Sequence, residues 1–152
     1  MKHHDRVTAC LLTEAETATA LLSLLGEERL VLSGGDHQAI LLLSHRKHLL
    51  AEQLAQNEQA RHRCLEELRL PTDLSALENA LTGDAASACQ HLKQVAAACV
   101  EHNRNNGVLV EDRLRYTLRA LEIVTGRTFE TPSYGQRGRL GRYSNGRTLA
   151  TA

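Results

Sequence analysis

Tryptophan is missing from the chain, aromatic residues make up only 3% of it, and proline occurs only at Pro71 and Pro132. With so little aromatic mass, aliphatic and alanine side chains must supply nearly all of any core. Two prolines, and leucine and alanine at most apolar positions, favour long helices and argue against a β fold. The expected fold class is therefore all-α. A charge surplus is missing too: Lys+Arg and Asp+Glu number 18 each, so no global field draws the chain to nucleic acid or a membrane. No apolar run approaches the roughly 18 to 20 residues of a membrane span. The opening Met-Lys-His-His-Asp passes into helical alternation without the continuous apolar stretch of a signal peptide. Cys10, Cys64, Cys89 and Cys99 all fall at apolar helical positions and read as free thiols in a reducing cytoplasm.

At 152 residues the chain suits one domain with a real core. From about residue 5 to 32, Leu11, Ala15, Ala18, Leu22, Leu25, Arg29 and Leu32 recur at steps of three and four, which draws one stripe along a helix. Leu21 and Leu24 widen that stripe, as for a helix meeting two neighbours, and Ser33-Gly34-Gly35 stops it. Asp36 is placed to cap a second helix over about 36–69, whose stripe is Ile40, Leu43, Lys47, Leu50, Leu54, Asn57, Arg61, Cys64 and Leu68. Two helices of similar length joined by a short link predict an antiparallel hairpin. Lys47, Asn57 and Arg61 interrupt its seam, so that part should be thinner, wetter or covered by a partner.

Pro71 ends the second helix, and residues 70 to 83 read as a connector with a short helical turn presenting Leu74, Leu77 and Leu81. The third helix, about 84–125, carries Leu92, Val95, Cys99, Asn103, Asn106, Val110, Leu114, Thr117, Leu121 and Val124 in unbroken phase. The phase continues across Gly107 and predicts one long helix there, a break at Gly107 being the alternative. Gly126 ends it. The organisation expected is an antiparallel bundle of three long helices over residues 1–126. A mobile tail, 127–152, follows, basic through Arg127, Arg137, Arg139, Arg142 and Arg147 against Glu130.

Catalysis is not expected. The cysteines lie in helical seams without an activating base, and no glycine-rich stretch has phosphate-loop spacing. A metal site would have to use pairs such as His45 and His48 or Cys99 and His102, but neither the Glu-x-x-His pairs of a di-iron bundle nor a Cys-x-x-Cys knuckle is present, so no metal or other cofactor is expected. A helical metal-binding protein and a nucleic-acid binder acting through the tail arginines are the alternatives. More informative are Asn103, Asn106 and Gly107. Inward-facing amides must be hydrogen-bonded, and two readings stand: pairing across the bundle to fix register, or contact with a partner's backbone beside Gly107. Beyond them Val110, Leu114, Leu118, Leu121 and Val124 offer more apolar surface than a tapering hairpin requires, which points to a bound peptide or a second copy of the chain, forming a homodimer, the alternative being that the three helices bury it among themselves. Tyr134, beside Gly135, has the profile of a contact anchor in a segment with no core.

The Asn-x-x-Asn-Gly block at residues 103–107, the helix running on through Thr117, Ala120 and Leu121 to Gly126, and the tail Tyr134-Gly135-x-x-Gly138 ending in Gly146-Arg147-Thr148-Leu149 resemble the C-terminal third of the FlgN flagellar export chaperones. The resemblance extends to the two long N-terminal helices and the overall length. It implies a cytosolic protein that binds the hook-associated proteins of the hook–filament junction, keeps them unassembled, and delivers them to the type III export gate and its ATPase complex. It further implies that the C-terminal region engages the client and that the tail, with Tyr134 and Gly135, docks at the gate. The histidines and cysteines have no counterpart role in that family.

Overall fold

The computed structural model of the chain describes residues 2–129, and among them every regular element is a helix. The order is α1 (Lys2–Gly34), α2 (His37–Glu67), α3 (Leu74–Ala80) and α4 (Gly83–Thr125). Two compact units divide the chain, Met1–Asn106 and Gly107–Ala152.

Local chemistry sets the helix ends in the first unit. Gly35 closes α1 with φ +82, its N–H donating to the Val31 carbonyl at 3.0 Å. The Asp36 carboxylate accepts from the N–H groups of Gln38 and Ala39, supplying α2 with the cap expected of it. At the other end of α2 the chain reverses through Arg69, whose φ is 56. Leu70 N–H donates to the Leu65 carbonyl at 2.9 Å and Arg69 N–H to Glu66 at 3.0 Å, the paired bonds of a Schellman motif. Asp73 caps α3 by accepting from the Ala76 N–H at 2.9 Å.

The core draws on every helix: Val7, Leu11 and Leu25 from α1, Leu65 from α2, Leu77 from α3, and Leu92 and Val95 from α4 are buried together. On α4 the expected seam residues Leu92, Val95, Cys99 and Asn106 are all buried. The Cys99 thiol donates to the Ala18 carbonyl and the Asn106 amide to the Leu25 carbonyl. Seven residues along α4 thus match seven along α1 in the same direction, so these helices run parallel, with α2 antiparallel to α1. On α2 no residue between Leu43 and Arg61 is buried, and the aliphatic core gathers where α2 ends.

The α1 stripe departs from its expected line. Arg29 is exposed and Leu22 half-buried, whereas Leu24, Glu14 and Thr17 are buried. The cause is that α1 meets α4 along one line and α2 along another, which widens its buried arc beyond a single stripe. The α2 line is polar. Arg61 places Nε 2.7 Å from Oε2 of Glu14 and donates through Nη1 to the Thr72 carbonyl at 3.0 Å. Asn57 Nδ2 donates to Thr17 Oγ1 at 2.8 Å, and Lys47 Nζ lies 3.1 Å from both carboxylate oxygens of Glu28. Each polar interruption of the α2 seam therefore has its answer on α1. An 18-residue window of α1 reaches a mean hydropathy of 1.2, so by length and composition this helix alone among the described residues could cross a membrane. Leu11, Leu24 and Leu25 of this helix are packed inside the protein, while Leu12 and Leu30 are exposed.

In the second unit the helix runs on to Thr125 and ends at Gly126, whose φ is +66 and whose N–H donates to the Glu122 carbonyl at 2.8 Å. The Phe129 N–H then bonds the Glu122 carboxylate at 2.9 Å. The basic tail from residue 130 onward, including Tyr134 and Gly135, lies outside the described residues.

Candidate functional site

Asn106 and the helical segment after it differ sharply in burial. Asn106 is 2% exposed. Its Nδ2 donates to the Leu25 carbonyl at 2.9 Å and to Glu28 Oε2 at 2.8 Å, and Glu28 in turn holds Lys47. One carboxylate on α1 thereby ties α2 and α4 together at a single level. Of the two readings open for the amides, cross-helix pairing is the one the Asn106 geometry satisfies. Its Oδ1, and Nδ1 of His102 one turn before, are buried without a hydrogen-bond partner among the described residues. Asn103 is half-buried. Gly107 is helical, and a Cβ built on it would meet nothing within 4 Å. No neighbour among the described residues therefore demands glycine there.

From Gly107 to Thr125 no side chain is buried. Val110, Leu114, Leu118, Leu121 and Val124 follow one another at steps of four, four, three and three, which at 100° per residue keeps them on one face. Val110, Leu114 and Leu118 are half-buried, Leu121 is 41% exposed and Val124 82%. Val108 and Ile123 add exposed apolar surface to the flanks. Asp112, Arg115 and Arg119 fall on the opposite face, where Arg115 Nη2 lies 3.4 Å from Asp112 Oδ1. This is an amphipathic helix segment whose apolar side is left uncovered by the described residues of its own unit.

Burying a Val or Leu side chain contributes roughly 1.5 to 3 kcal/mol, so five of them offer at most about 8 to 15 kcal/mol gross. Association itself costs roughly 4 to 15 kcal/mol. Such a face can hold another amphipathic helix.

The residues considered for metal binding are spread out. The Cys99 thiol is taken up by the Ala18 carbonyl, while His48 is exposed, with Nε2 3.3 Å from Glu52 Oε1. Among the described residues no three of His, Cys, Asp and Glu gather where one ion could be held.

What went unseen from the sequence is the α1 side of the polar seam, Glu14, Thr17 and Glu28. The signal was the spacing of Lys47, Asn57 and Arg61 on α2, which becomes specific only once the hairpin register is known.

A family model described as FlgN protein matches residues 1–142 of the chain. No curated protein and no solved structure matches it.

Proposed function

Because this chain belongs to the FlgN family, a family of flagellar export chaperones and not of enzymes, we propose that it binds the hook-associated proteins of the hook–filament junction in the cytoplasm, prevents their premature assembly, and hands them to the export gate. The observation carrying this reading is the apolar face of Val110, Leu114, Leu118, Leu121 and Val124, which the described residues leave uncovered. An amphipathic helix from the end of a secreted subunit, laid on that face, would lose the contacts it needs in its own polymer. Gly107 lies three residues before Val110, where it leaves room for a close backbone approach. Asn106 belongs to the first unit, where it fixes α4 against α1. In the same reading, the arginine-rich stretch after residue 127, with Tyr134 and Gly135, docks at the export gate and its ATPase complex. The antiparallel helices of the first unit are then the scaffold.

Replacing both Leu114 and Leu121 with Asp puts two charges on the face without touching a buried residue. Calorimetric titration with the terminal helical segment of a hook–filament junction protein should show at least a hundredfold loss of affinity, with helicity by circular dichroism unchanged. Undiminished affinity would remove this face from consideration.

A further inference from the structure

Cys10 and Cys64 have no part in the binding face. Their position follows from the register of α1 against α2. Arg6 Nη2 meets Glu67 Oε2 at 2.8 Å and Glu14 Oε2 meets Arg61 Nε at 2.7 Å, so these two ion pairs bracket the interval in which the cysteines lie. Cys10 comes one helical turn after Arg6 and one before Glu14. Cys64 comes three residues before Glu67 and three after Arg61. The two thiols therefore stand opposite each other across the helix interface. Cys64 is buried, whereas Cys10 is partly open to solvent. The other two cysteines are placed differently: Cys89 donates to the Leu74 carbonyl and Cys99 to the Ala18 carbonyl. They are also ten residues apart on one helix, about 15 Å.

We propose that Cys10 and Cys64 form a peroxide-sensitive dithiol site that closes into an intramolecular disulfide bridging α1 and α2. The thiolate of the accessible Cys10 attacks one peroxide oxygen, the O–O bond breaks, and Cys10 becomes a sulfenic acid while the departing hydroxide takes up the proton that the Cys10 thiol gave up and leaves as water. The Cys64 thiolate then attacks the Cys10 sulfur and the S–O bond breaks. Hydroxide leaves and takes up the Cys64 proton. Two thiols and one hydrogen peroxide thus give one disulfide and two waters. Burial first, and the adjacent Cys64 second, push the Cys10 thiol up. Cys10 therefore rests as a thiol, and the site responds to sustained oxidant and not to traces. Closing a loop of roughly 55 residues should raise the melting temperature by about 10 °C.

The test treats the reduced full-length chain with excess hydrogen peroxide, counts thiols after denaturation, and maps non-reduced peptides by mass spectrometry. The expected result is a fall from four thiols to two, a Cys10–Cys64 cross-linked peptide, and a rise in melting temperature that dithiothreitol reverses. The Cys89→Ala/Cys99→Ala variant should behave likewise, and Cys10→Ala should form no intramolecular bridge. A bridge to Cys89 or Cys99, oxidation of Cys10 to sulfinic acid without a bridge, or four surviving thiols would each overturn the proposal. Because the peptide map is read on the unaltered chain, a variant that folds poorly does not weaken the test.

Discussion

Arg61→Met is the most informative single change in the scaffold. The Arg61 and Glu14 side chains are only 4% and 7% exposed, and the guanidinium also holds the Thr72 carbonyl that leads into α3. Methionine keeps most of the stem volume, so no large cavity need open. What remains is a buried carboxylate with no cation and a carbonyl with no donor. Breaking one side of such a pair costs about 3 to 5 kcal/mol, a large share of the roughly 5 to 15 kcal/mol that holds a domain folded. The midpoint of thermal unfolding should fall by about 10 °C. Urea unfolding at pH 7, followed by circular dichroism, measures the loss. Adding Glu14→Leu to the same chain removes the stranded charge, and the double variant should recover to within about 1 kcal/mol of the parent. A loss below about 1 kcal/mol for Arg61→Met, or a double variant no better than the single, would refute the idea that this pair closes the α1–α2 interface.

Asn106→Ala should cost about 1 to 3 kcal/mol of stability while leaving client affinity within twofold, as read from paired urea and calorimetric titrations; a tenfold loss of affinity at full stability would make the amide a partner contact. Gly107→Ala should stabilise the free protein by roughly 0.5 to 1 kcal/mol, since the added methyl meets nothing, and should weaken client binding if a partner backbone passes over that position. Arg69→Gly should stabilise by about 1 kcal/mol, because Arg69 holds the left-handed position of the Schellman turn; a loss on urea unfolding would mean that its side chain contributes more than its strained backbone costs.

How far the chain could be read in advance varied with the range of the interaction. The α4 seam from Leu92 through Asn106 and the Asp36 cap are local or periodic signals, and each sits where spacing placed it. The unbroken phase across Gly107 likewise corresponds to a continuous α4. Harder to read was anything that depends on two helices at once. Lys47, Asn57 and Arg61 were visible as interruptions, but nothing local to α1 marks Glu28, Thr17 and Glu14 as their partners. Arg69 escaped notice for a different reason: glycine is the usual residue at that turn, and an arginine there carries no composition signal. For the candidate binding face, periodicity placed the apolar residues on one side of α4. Their exposure, and the burial of Asn106 just before them, required coordinates.

Hydrogen–deuterium exchange on the full chain, with and without the terminal segment of a hook–filament junction protein, bears most directly on client capture by α4. Amides from Gly107 to Thr125 should exchange quickly in the free protein and become protected by at least tenfold in the complex, with α1 and α2 little changed. Protection confined to α1 and α2, with residues 107–125 unaffected, would contradict it.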